Sequence, residues 1–432
     1  MDNLISQIHT LSTNNDSDLK KLKDFLRHEQ EMLKANVHQI DQALQALDLT
    51  RNTLGIAFLL AAQLNAGAPP NLRTTLAYIG NFLKLADEQQ VKKASVPMNT
   101  VCKVYAQLAI DEGQQAMLRT LLPLRCAVEK LRPNPETLTP VHAEFLRVCL
   151  KAKAYHLAAP VIDQPIFDIS LSNNNCTQMT PASFLTYFYY GALVRIGMKE
   201  FAAAMQLLLV VLTCPASCLS AIQADAYKKF ALLSLRVHGE LQSLPIYCSH
   251  IVQRYAKSPG YALDIVEAFK QGDSAQLQRV VEEKAPAIQA DHNTGLVKQV
   301  VASLRRHKVQ MLTKTYLTLS LTEIAKEVGI EESNTQEVEE LLFDMISSGE
   351  INARIEQTTG NVSFEDDLGE SDVGPAMVAK LQGQMQQILE LATRIGAFEQ
   401  EVVSGEAYIR KTAALEGAQP QHIPGGYDFM DM

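Results

Sequence analysis

Cys214 and Cys218 stand four residues apart, a spacing that can bring two thiolates to one metal ion. Pro215 lies between them, and no His or Cys pair at zinc-site spacing completes a tetrahedral set. They read as core or capping thiols. His142, His156 and His250 fall in apolar helical stretches, where a hydrogen-bonded or solvated imidazole is far commoner than a general base. The chain has no G-x-x-x-x-G-K-[ST] loop, no G-x-G-x-x-G turn, no H-E-x-x-H pair, no G-x-S-x-G elbow and no C-x-x-C. Each absence removes a common route to catalysis. No catalytic, cofactor-binding or metal-ligating residue is assigned, no cofactor is expected, and the chain reads as a non-enzyme.

Two clusters could bind a polymer instead. Tyr187, Phe188, Tyr189 and Tyr190 form an aromatic run that could stack bases, although aromatics on a repeat helix usually build core. Arg305, Arg306, His307 and Lys308 form a basic patch, a composition that equally suits a solvated helix C-terminus. The elements around that patch decide between the readings.

From Leu296 to Phe364 the pattern is helix, strand, helix, helix, strand, strand. Val297, Val300, Val301, Leu304 and Leu312 stripe the first helix, and Leu317 and Leu319 alternate with Thr318 and Ser320. Ser320 and Glu323 have capping-box spacing before a second helix that Gly329 ends; Ser333 and Gln336 open a third, striped by Val338, Leu341, Leu342, Met345 and Ile346 and stopped by Gly349. Ile351, Ala353 and Ile355, then Val362 and Phe364, alternate about a turn at Thr359–Asn361. This is the order of a winged helix. A DNA-reading winged helix furnishes its third helix with Arg, Lys, Asn or Gln. Here that helix carries Glu337, Glu339, Glu340 and Asp344 and no basic residue, so it points to a protein partner. The wing strands either close the domain or offer an edge that a neighbouring subunit extends.

Upstream, helix–turn–helix recurs with turns near Gly113, Lys153, Gly197, Gly239 and Gly272, about 33 to 44 residues apart, the period of paired-helix solenoids. The clearest pair sets Phe184, Tyr187, Phe188 and Gly191 against Phe201, Met205, Leu208 and Val211. In the next, Ala226, Phe230, Leu233 and Val237 precede the turn, and Leu244, Tyr247, Ile251 and Tyr255 follow it on a second expected helix. Such pairs bury their faces only by stacking, and the winged helix is the natural cap.

Downstream, 365–374 is an acidic linker. Beyond Pro375, Met377, Leu381, Met385, Ile388, Leu391, Ile395, Phe398 and Val402 recur at threes and fours, the repeat of a bundle seam. That seam must bury itself on its own domain or on another chain. The tail, 404–432, contains Gly and Pro and reads as disordered.

The 432-residue chain is 47% hydrophobic and has a net charge of -9. It is long enough for several units and too acidic to attract a phosphate backbone. Its longest apolar run, Leu54–Leu64, is well short of the about 20 residues a membrane span needs, and seven cysteines in apolar stretches suit reduced thiols. No membrane partner and no direct nucleic-acid partner is expected. The fold class is mostly α: a TPR- or HEAT-like solenoid leading into a winged helix, then a long amphipathic helix. The units are 1–180, N-terminal repeats; 181–295, further repeats; 296–364, winged helix; 365–374, linker; 375–403, bundle helix; and 404–432, tail.

This arrangement resembles the PCI subunits of the proteasome lid, the COP-9 signalosome and a translation initiation complex. Three stretches, 188–216 (FYYGALVRIGMKEFAAAMQLLLVVLTCPA), 226–255 and 293–321 (NTGLVKQVVASLRRHKVQMLTKTYLTLSL), are most similar to signalosome members. The resemblance implies a scaffold in a complex that removes a ubiquitin-like modifier from cullins, with the zinc active site on a separate MPN-type subunit. It implies PCI and MPN partners, indirect engagement of cullin-RING ubiquitin ligases, and a place in cytoplasm and nucleus. Winged helices of the family associate side by side and C-terminal helices gather into a bundle, which would give subunit contacts to Ile351, Ala353, Ile355, Val362 and Phe364 and to the seam. The other readings are a PCI subunit of the proteasome lid or initiation complex, and a winged-helix nucleic-acid-binding regulator.

Overall fold

A computed structural model describes residues 2–12, 15–67, 71–169, 179–330, 335–356, 360–364 and 375–417. Twenty-three helices and three short strands account for most of them, so the mostly-α expectation holds. The chain divides into two compact units, Met1–Thr315 with Thr322–Leu341, and Tyr316–Leu321 with Leu342–Met432.

The first unit is a stack of paired helices built around two apolar cores. The helix Thr53–Ala66 is the hub of the first core, buried from Thr53 through Leu64 because its sequence is apolar on every face. Gly55 is required there, since a Cβ would come within 2.7 Å of the Ile8 side chain. The start of this helix is held by Gln90, which accepts from the Leu54 N–H at 3.0 Å and donates to the Arg51 carbonyl at 2.9 Å. The half-buried Lys130 does similar work: its Nζ donates to the carbonyls of Leu83 (3.1 Å), Lys84 (2.5 Å) and Ala86 (2.8 Å), closing the C-terminus of the helix Leu72–Leu85.

The helix Pro181–Gly197 joins the two cores, giving Tyr187 and Val194 to the first and Leu185 and Ala192 to the second. Thr180 caps it, accepting from the Ser183 N–H at 3.1 Å. Beyond it the helices Phe201–Thr213, Ala221–His238, Tyr261–Gln271 and Thr294–Thr315 pack around Leu208, Phe230, Ile265 and Val300.

The expected turns are largely where the sequence put them. Gly113, Gly239 and Gly272 have positive φ at helix ends, and Lys153 adopts the left-handed conformation between Pro140–Ala152 and Tyr155–Ile162. The helix expected after Gly239 is a correction. Pro245 lacks the N–H a helix needs and clashes with the preceding turn, so 240–249 is irregular and the helix starts only at His250. Tyr247, assigned to its buried face, is 75% exposed, beside Ile246 at 98%.

In the second unit β1 (Thr318–Ser320), β2 (Ala353–Glu356) and β3 (Asn361–Phe364) form an antiparallel sheet of order β1-β3-β2. Leu319 pairs with Val362, and Ile355 with Val362 from the other side. The bonds Leu321 N–H to Gly360 O (2.9 Å) and Phe364 N–H to Leu317 O (2.8 Å) close its ends. The helix Leu321–Val328, part of the first unit from Thr322 onward, and the helix Thr335–Ser347, of the first unit up to Leu341 and of the second from Leu342, complete the order read from sequence. Ser333 of the expected third cap, and the linker 365–374, lie outside the described residues. The long helix Pro375–Ser404 follows. After Gly405 the chain forms another helix, Glu406–Gly417, where the tail was expected to be disordered; its Ala, Glu, Lys and Arg content favours helix without requiring a buried face. The rest of the tail, 418–432, is outside the described residues.

Candidate subunit interface

The thirty residues of Pro375–Ser404 make a helix about 45 Å long. On it Leu381 and Leu391 are 48% exposed, Phe398 half exposed, and Met385, Ile388, Ile395 and Val402 more exposed still. Met377 sits in its first turn, but its side chain is outside those described. The seam is thus one continuous uncovered stripe. Val378, Leu389 and Val403, also exposed, broaden it beyond the two-per-heptad pattern. Each follows a seam residue by one position, and counting such neighbours would have found them in the sequence. Gly383 and Gly396 lie inside this helix with open space around them, so they weaken it without serving any close approach.

The wing strands divide differently. Ile351, Val362 and Phe364 are buried, at 6%, 0% and 7% exposure, and their side chains are committed to the domain interior. Ala353 and Ile355 are half-buried on β2. Among the described residues β2 pairs only with β3 and stands at the edge of the sheet. Phe343 is a feature the helical stripe did not reveal: it lies on the helix Thr335–Ser347 and is 68% exposed.

The basic patch is used internally. Arg305 forms an ion pair with Glu337 at 2.6 Å, so the acidic helix meets its own chain's cation. His307 contacts the Arg236 carbonyl through Nε2 at 3.2 Å, Gln310 through Nδ1 at 3.1 Å, and lies edge-on to Phe269. Lys308 Nζ donates to the Glu327 carbonyl at 3.0 Å, at the negative end of the helix Leu321–Val328. The aromatic run is also internal. Phe184 and Phe188 centroids are 4.8 Å apart, Tyr187 packs edge-on to Phe188, and the Tyr189 hydroxyl donates to Asp225, which also takes Lys229 at 2.9 Å.

Nor do the titratable groups assemble a reactive centre. Burial pushes the Cys102 and Cys149 thiols up to about 12, far from the thiolate that reacts. Desolvation also raises Cys214, while Cys218 is exposed. Buried His142 is drawn down to about 4 by desolvation, against a hydrogen bond with Thr139; it completes the cap of the helix Pro140–Ala152 by accepting from the Thr139 N–H at 3.1 Å. Among the described residues no group of three His, Cys, Asp or Glu side chains could hold a metal ion, and no helix is long and apolar enough to cross a membrane.

A helical-repeat stack, a winged-helix element and a long helix with an uncovered apolar stripe define an assembly protein of the PCI class, and residues 277–366 match the PCI domain. Residues 16–252 match the N-terminal helical repeats of COP9 signalosome complex subunit 3. COP9 signalosome complex subunit 3 of Drosophila melanogaster is 29% identical over 426 residues, covering 95% of this chain and 94% of that protein. The Dictyostelium discoideum protein of the same name is 31% identical over 399 residues, covering 91% and 93%. The chain belongs to the COP9 signalosome complex subunit 3 family.

Proposed function

We propose that this chain is a non-catalytic scaffold subunit of a COP-9 signalosome, helping a separate metalloprotease subunit to remove the ubiquitin-like modifier from cullins. The observation that carries this reading is the seam from Leu381 to Val402, exposed along its whole length. A monomer that keeps so long an apolar stripe in water is expected to bury it in a partner. Membership of a family named for a multi-subunit complex supplies the kind of partner.

In this reading the C-terminal helix enters a bundle with helices of PCI and MPN subunits through Met377, Leu381, Met385, Ile388, Leu391, Ile395, Phe398 and Val402. The outer edge of β2, at Ala353 and Ile355, joins a neighbouring winged helix by strand pairing. Ile351, Val362 and Phe364 support that edge from within. Cullin-RING ligases are engaged indirectly, and the complex works in cytoplasm and nucleus. Direct nucleic-acid binding forms no part of the role, in keeping with the internal engagement of Arg305, His307 and Lys308. Affinity capture of the tagged chain at low ionic strength, with mass spectrometry of its companions, tests the assignment. Recovery of PCI and MPN subunits together with cullins is the expected result; recovery of proteasome-lid subunits in their place would reject it.

A further inference from the structure

One cleft in the N-terminal repeats runs against the charge of the chain. It has a volume of about 310 Å³ and lies among the helices Asp16–His28, Thr53–Ala66 and Ser95–Glu112, with the end of Glu88–Lys93 on its rim. Lys23 and Arg27, one helical turn apart, and Lys93 put three cations on it, and none of its lining residues is a carboxylate. Such a concentration is notable in a chain whose net charge is -9. Beside the cations the lining mixes apolar residues with Gln30, Asn65 and Thr100; of the apolar ones Phe58 and Pro97 are buried and Val96 is 40% exposed.

Two of the cations differ in their commitments. Lys93 is paired with Asp16 of its own chain, which demonstrates that this rim accepts a carboxylate. Arg27 is exposed and has no partner among the described residues, and a guanidinium is well shaped to take a carboxylate through two bonds. We propose that this cleft binds an acidic peptide segment of another protein, with one apolar side chain seated against Val96 and a carboxylate at Arg27, where Lys23 one turn away adds its positive charge. A bare anion would gain nothing from the apolar wall, and an apolar peptide nothing from the cations. The combination selects a segment carrying both.

The test is fluorescence anisotropy of the full chain with a labelled hexapeptide of Asp and Glu around a single Phe. Binding is expected to weaken with rising salt, about tenfold or more in the double variant Lys23→Glu with Arg27→Glu, and severalfold in Val96→Ser. Lys23→Gln with Arg27→Gln serves the same purpose if the charge reversal disturbs folding, and the unfolding midpoint should stay put. Failure of the peptide to bind, equal binding of the neutralised variant, or equal binding of a peptide with Ser for Phe would overturn the proposal. So would complete displacement by equimolar inorganic pyrophosphate, which would mark a simple anion site. None of these outcomes depends on whether the C-terminal seam docks.

Discussion

His142 shows how one buried side chain ties stability to pH. Its pKa falls from 6.5 to about 4 in the folded chain, so between those values the unfolded state binds more protons than the folded one. Its contribution is therefore complete above about pH 6.5 and is lost as pH falls toward 4. Between pH 7.5 and 5 the loss amounts to about 2 kcal/mol. Denaturant unfolding at the two pH values should show a smaller drop for His142→Gln than for the parent chain; an equal drop would mean that His142 is not the sensor. Lys130 makes a different point. Its ammonium serves three carbonyls at one helix end, and Lys130→Met, which keeps the stem and removes the donor, should destabilise by about 1–2 kcal/mol. A thermal melt unchanged by the substitution would show that water replaces it at no cost.

Elements were legible in this sequence wherever local chemistry and burial agreed. Gly113, Lys153, Gly239 and Gly272 marked turns because a helix end needs a residue at positive φ, and the β-strand alternation fell in the observed register. Legibility failed at Pro245, where apolar spacing suggested a helix that the missing N–H forbids, and at Glu406–Gly417, where helix propensity acts without an apolar stripe. It was also partial at the interface. Period-two alternation identifies the inner face of a strand, so Ile351, Val362 and Phe364 were visible as a set but belong to the interior; the edge they support has no side-chain signature. At the basic patch, replacing Arg305, Arg306 and Lys308 with Gln should cost only about 1 kcal/mol, since the Arg305–Glu337 pair is partly exposed. An electrophoretic shift should find no salt-sensitive duplex binding with either protein; a shift lost in the variant would restore the nucleic-acid reading.

For the whole molecule the question is what stabilises a helix with so little cover. Gly383 and Gly396 each cost about 1 kcal/mol relative to Ala, and among the described residues no core covers the seam. The helix is therefore expected to draw much of its stability from whatever packs on it in the assembly. Leu381→Asp with Ile388→Asp separates the two contributions. Both side chains face water in the isolated chain, so the double variant should keep its helical circular dichroism and the unfolding of its repeats. In a bundle the same carboxylates would be desolvated without partners, a penalty of several kcal/mol that is enough to exclude the subunit. Gly383→Ala with Gly396→Ala should act in the opposite sense, stiffening the free helix and raising affinity for partner subunits by preorganisation. Co-purification of the aspartate variant with a full set of partners would place the assembly contact elsewhere, leaving the β2 edge and Phe343 as the surfaces to probe next.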